Sequence, residues 1–132
     1  MKKYVVKVYR AISEQVLDIL DLFKNLRKGY GLIPTYYYSD PKIAIAHKVL
    51  PILRAYRKLL SRRENWSLSN WVVAEGEQLT EEQMRARWLS YVDQMILAFH
   101  LVHSGQFHDE KNEALIDEGL RLFSMYYRHL WD

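Results

Sequence analysis

The sequence predicts a mainly α fold: a four-helix bundle-like single domain spanning residues 1–132, with a central third helix and room for a short N-terminal β-strand. Three observations lead there. Thr80, Glu81, Glu82 and Gln83 have the form of a capping box, in which a hydroxyl and a glutamine side chain each satisfy the other residue's free backbone amide. Behind it Met84, Trp88, Val92, Met95, Phe99 and Val102 recur at spacings of three and four, one stripe of a 3.6-residue helix. Three other segments carry similar stripes between helix start and stop signals.

In chain order, residues 4–10 alternate Val and Tyr with Lys and read as a short strand. The only other β-prone run, residues 66–73, would be its partner within the chain or, if swapped, in a second chain. The first helix spans about 13–28, from Ser13 as N-cap to a basic last turn before Gly29, with Ile12, Val16, Ile19, Phe23 and Leu26 inward. Residues 29–39 form an aromatic loop. The second helix spans about 41–62, with Asp40 as N-cap and Pro41 at the first position, where the missing N–H costs nothing. Its inner stripe reads Ile45, Val49, Ile52, Tyr56 and Leu59, and Pro51 is expected to kink it by removing one backbone bond.

The third helix, about 80–104, grows apolar around its whole circumference, since Ile96, Leu97, Ala98 and Leu101 add to the stripe. Such a helix is enclosed, either as the central rod of the domain or with Leu97 and Leu101 facing a second subunit in a homodimer. The fourth helix, about 109–131, points Ile116, Leu120, Phe123, Tyr127 and Leu130 inward. Gly119 lies on that stripe at a cost of about 1 kcal/mol against alanine, which points to a close helix crossing.

Composition narrows the function classes. The apolar fraction of 49% suits a globular core, and the absence of cysteine removes disulfide frameworks, thiolate metal sites and thiol nucleophiles. A net charge of +3 is modest for a dedicated nucleic-acid binder. The N-terminus lacks the pattern of an export signal, and with no 18-residue apolar run the chain is expected to be soluble, without a membrane partner. Aromatic residues reach 14%, including ten tyrosines, enough to furnish a binding surface as well as a core.

Several blocks in order carry a family resemblance. They are Arg27-Lys28-Gly29-Tyr30-Gly31, then Asp40 with Ala46 and Leu50-Pro51, Leu79-Thr80-Glu81-Glu82, Met95-Ile96-Leu97-Ala98-Phe99, Glu118-Gly119-Leu120-Arg121-Leu122-Phe123, and Leu130-Trp131-Asp132. Together they resemble a family of small helical proteins from tailed bacteriophages. This chain departs from the family pattern at His100, where an acidic residue is frequent, and at Pro41, where a Trp is frequent. The resemblance implies a viral protein acting in the host bacterial cytoplasm and carries over no catalytic residue. Accessory phage proteins of this size often act by binding, including the sequestration or blocking of host defence components.

The candidate sites each admit two readings. Arg27, Tyr30, Tyr36, Tyr37 and Tyr38 form either an adaptable partner-binding surface or a loop folded back to complete the core. Arg54, Arg57 and Lys58, with Arg62 and Arg63 nearby, contact phosphates while Trp66 or the tyrosines stack on bases, or else they pair with the acidic half of the fourth helix. His100, His103 and His108 are metal candidates by spacing, but no HExxH pattern accompanies them, so no metal and no cofactor is assigned. Asp40, Glu81 and Glu82 read as caps, and no nucleophile elbow, phosphate loop or paired-carboxylate signature appears. The expectation is therefore a non-enzymatic binder of a host protein or host-derived ligand, with a nucleic-acid or nucleotide binder as the alternative and a His-based metal enzyme third.

Overall fold

The computed structural model of the chain describes residues 2–62 and 70–130, and among them the fold is all-α, with no strand. The helices are α1 (Lys2–Arg27), α2 (Thr35–Ser39), α3 (Pro41–Arg62), α4 (Glu81–His103) and α5 (Glu110–Tyr126), with single 3-10 turns at Asn70–Val72 and Tyr127–His129. The expected N-terminal strand is instead the start of α1, which runs unbroken from Lys2. A lone Val/Tyr-rich run has no ladder to join here, whereas helical continuation satisfies each backbone group locally. Arg63, Trp66, Trp131 and half of the proposed partner strand lie outside the described residues, and its remainder opens with the Asn70–Val72 turn. The chain divides into two compact units, Met1–Ala44 and Ile45–Asp132.

In Ile45–Asp132 the core is assembled around α4. Seven α4 residues are buried (Met84, Trp88, Val92, Met95, Ala98, Phe99 and Leu101), against three on α5 (Ile116, Gly119 and Leu122), so α4 is the central rod. Its start is the expected capping box: Thr80 Oγ1 accepts from the Gln83 amide at 3.2 Å, and Gln83 Oε1 accepts from the Thr80 amide at 2.9 Å. Its end is a Schellman turn. The Gly105 N–H donates to the Val102 carbonyl and the Gln106 N–H to the Leu101 carbonyl, with Gly105 at φ +74°, the left-handed region where a Cβ is strained.

α5 crosses α4 at Gly119. A Cβ there would lie 2.5 Å from the Gln94 carbonyl oxygen and would overlap the Ala98 Cβ, so the close crossing read from the sequence is the reason for the glycine. Trp88 is fully buried, donates from Nε1 to the Tyr56 hydroxyl at 3.2 Å, and meets Trp71 and Tyr126 edge-on at centroid distances of 5.7 Å. The connector before α4 is clasped by an ion pair. Arg87 donates both guanidinium nitrogens to Glu77, at 2.6 and 2.7 Å, and Nη1 also reaches the Val72 carbonyl at 3.1 Å. These hydrogen bonds, first those from Arg87 and then that from the Ala74 amide, hold the Glu77 carboxyl down to about 2.

Two expected inner stripes are turned in the structure. On α3 the buried side chains are Ala46, Leu50, Leu53 and Leu60, with Val49 and Tyr56 packed against them, while Ile45, Ile52 and Leu59 face out. The physical reason is that α3 is apolar on two faces, and the face carrying Ala46, Leu50, Leu53 and Leu60 is the one that joins the cluster of Trp88 and Met95. Of the C-terminal stripe Ile116, Phe123 and Leu130 pack inward as expected, whereas Leu120 and Tyr127 are exposed and Leu122 takes a core position. α3 continues through Pro51 without a break.

In Met1–Ala44 the balance is reversed. The stripe Ile12, Val16, Ile19, Phe23 and Leu26, expected inward, is exposed along the whole of α1, and the one buried α1 residue is Asn25. A polar network fixes the loop after α1. Asn25 Nδ2 donates to the Ile33 carbonyl at 2.7 Å and to Thr35 Oγ1 at 3.2 Å, and Asn25 Oδ1 accepts from the Tyr38 hydroxyl at 2.8 Å. Asp21 accepts from the Thr35 amide at 2.7 Å and from the Thr35 hydroxyl. It caps α2 from a neighbouring helix, because the preceding residue, Pro34, offers no side-chain acceptor.

Candidate functional site

Three regular features of α3 meet solvent or α4, and each follows from the 100° step between successive helical residues. The first is a ladder of polar pairs along the contact with α4. His47 Nδ1 lies 3.2 Å from His103 Nε2, Arg54 Nη2 lies 3.4 Å from His100 Nδ1, and Arg57 Nε donates to Asp93 at 2.7 Å. As the numbers rise on α3 they fall on α4, so the rungs belong to an antiparallel pair. Arg57 is held further by Asp93 Oδ2 at 3.2 Å and by the Ser61 hydroxyl at 2.5 Å.

This ladder decides several sequence expectations. Arg57 pairs with Asp93 of α4, not with the acidic half of α5, where Glu118 pairs instead with Arg121 at 2.8 Å on its own helix. Arg121 keeps the Glu118 carboxyl below its usual range. The three metal candidates are dispersed: His103 stacks on His47 with centroids 5.3 Å apart, His100 faces Arg54, and His108 lies against Phe107. Among the described residues, no group of three or more His, Asp or Glu side chains could hold a metal ion. The His47–His103 pair was not foreseen, since only the α3–α4 register reveals it.

The second feature is a groove of about 400 Å³ beside the Arg57–Asp93 pair, lined by Ala86, Leu89, Ser90, Gln94 and Leu97. Leu97 is 38% exposed at its rim, whereas Leu101, its proposed companion in a subunit interface, is 6% exposed and packs within its own chain. The groove is open and shallow.

The third feature is the outer row of α3. Ile45, Ile52 and Leu59 repeat every seven residues and are exposed at 55%, 66% and 45%. Lys48, Ala55 and Arg62 follow next around the helix, which gives the apolar row a basic margin on one side. A helix whose opposite face is locked in a core presents such a row rigidly.

The tyrosine cluster belongs to the other unit. Tyr38 is half committed, its hydroxyl to Asn25 and its ring edge-on to Tyr30 at 5.2 Å, while Tyr36 and Tyr37 meet edge-on at 4.7 Å. Tyr30 and Tyr36 keep more than half of their surface exposed. Thus the loop is folded back on α1 and still presents rings outward. Arg27, in the last turn of α1, is exposed beside a pocket formed with Leu20, Phe23, Lys24 and Lys28. The Asp21–Thr35 contacts, chiefly the hydroxyl's, hold the Asp21 carboxyl below its ordinary range. Among the described residues, no helix is long and apolar enough to cross a membrane. Compared with protein-family models, with curated proteins and with solved structures, the chain matches none of them.

Proposed function

We propose that this chain is a non-enzymatic binding protein, a phage accessory factor that engages a host component in the bacterial cytoplasm, and that α3 supplies the recognition face. The observation that carries this reading is the outer row Ile45, Ile52 and Leu59, about half exposed on a helix whose other face is fixed in the core. Isolated exposed apolar residues are ordinary on a protein surface, but a periodic row with a basic margin is the form in which a helix presents anchors to an apolar groove. Its partner would carry such a groove with an acidic rim. The phage and host assignment rests on the ordered blocks described from the sequence.

The nucleic-acid alternative has less support. Arg57 already serves Asp93, and a cation in an ion pair must give up that partner before it can neutralise a phosphate.

The test is a photo-crosslinking side chain at position 52, with position 118 on α5 as control, in the full chain expressed in bacterial cells. The reading expects a protein adduct from position 52 and none from 118. An adduct removed by nuclease would transfer the site to the nucleic-acid reading. Equal labelling from both positions, or none, would end the proposal.

A further inference from the structure

The seam on α1 is regular beyond what an ordinary surface helix needs. From Val5 the exposed apolar side chains step by four and three in strict alternation, through Tyr9, Ile12, Val16, Ile19 and Phe23 to Leu26. All are between 48% and 77% exposed. That is the a/d pattern of period 3.5, held over three heptads with Tyr9, Val16 and Phe23 at a. Six charged residues lie between Val5 and Leu26, and all fall at b, c or f, off the seam and off the positions beside it. Val6, Val8, Leu20 and Leu22 occupy most of those neighbouring positions and widen the apolar face. Shallow grooves recur along the same ridge, one beside Tyr4, Val5 and Val8 and the next beside Ser13, Val16 and Leu17.

The rear of α1 is already taken. Asp21 and Asn25, which hold the loop and α2, lie roughly 180° around the helix from the seam. The loop therefore keeps the helix formed while its apolar face stays free.

We infer that the α1 seam is an interface with a second copy of this chain, which lies antiparallel on it with Ile12 of one copy against Val16 of the other. Side-chain size selects the direction. A parallel pair would stack Tyr9 on Tyr9 and Phe23 on Phe23. In the antiparallel register large seam residues meet smaller ones, Phe23 with Val5 and Tyr9 with Ile19. Two such seams bury on the order of 1,600 Å² in total, the size of a standard stable interface. This interface is independent of the α3 row, and it replaces the Leu97–Leu101 contact expected from the sequence.

The full chain has no cysteine, so single cysteines report the register directly. Ile12→Cys and Val16→Cys proteins, mixed and mildly oxidised, should give the mixed disulfide in large excess over either homodisulfide. Light scattering should return twice 15.9 kDa for the wild type at about 100 μM. Ile12→Glu with Val16→Glu should weaken self-association at least about a hundred-fold and leave the near-ultraviolet tryptophan signal unchanged. A wild-type monomer at that concentration overturns the inference, whether its seam then floats with anionic vesicles or cross-links within its own chain. So does a dimer that the double variant leaves intact, or an Ile12 homodisulfide as the main product.

Discussion

In Ile45–Asp132 one helix buries seven side chains between its neighbours, whereas in Met1–Ala44 a helix of 26 residues buries only Asn25. Both are amphipathic, so amphipathicity alone does not say where a stripe will go. α4 is covered because α3 and α5 each bring an apolar face to it, and Gly119 lets α5 close to backbone contact. α1 is held from behind, by an amide and a carboxylate that grip the following loop, and its stripe is left outside. The first arrangement draws stability from area removed from water, the second from a few satisfied polar groups.

The largest expected effect is on the first arrangement. Trp88→Ala removes a fully buried ring and leaves the Tyr56 hydroxyl without its donor, and should cost about 3–5 kcal/mol in chemical denaturation. A loss below about 1 kcal/mol would mean that α4 is not the centre. On the second arrangement, Asn25→Ala strands the Ile33 carbonyl and leaves the Tyr38 hydroxyl its longer bond to Thr35, at about 1–3 kcal/mol. That loss should stay local: amide exchange over residues 30–38 quickens while denaturation followed through Trp88 is unchanged. Coupled loss of both would show that the two units share one stability.

The smallest effect is in acid. The folded Glu77 carboxyl sits at about 2 against an ordinary 4.5, so its contribution is complete above the ordinary value and fades as pH falls toward 2. Thermal melts of the wild type should therefore decline across that window more steeply than those of Glu77→Gln. Parallel curves would show that the clasp with Arg87 does not bear on the core.

Legibility from sequence followed the same division. Local signals were readable: the Thr80–Gln83 box, the α4 stripe and the reason for Gly119 are all borne out in the structure. The strand at residues 4–10 was misread because Val and Tyr favour sheets, and that preference is overridden once no pairing edge exists. The α3 stripe was misassigned by one face because both faces are apolar, and periodicity gives the spacing of a face but not its partner. Asn25 gave no signal at all. Its role depends on Gly29, at φ +80°, and Gly31, at φ +84°, turning the chain so that Thr35 and Tyr38 return to it, a reversal that no one-dimensional pattern encodes.

The most direct test is hydrogen exchange on the full chain at two concentrations, about 1 μM and about 200 μM, the low one chosen so that association is weak. The account predicts that residues 84–102 are the slowest to exchange at both, and that residues 5–26 are poorly protected when dilute and gain protection when concentrated. If α1 is as protected as α4 in the dilute sample, its stripe is not outside the fold and the contrast between the two units is wrong.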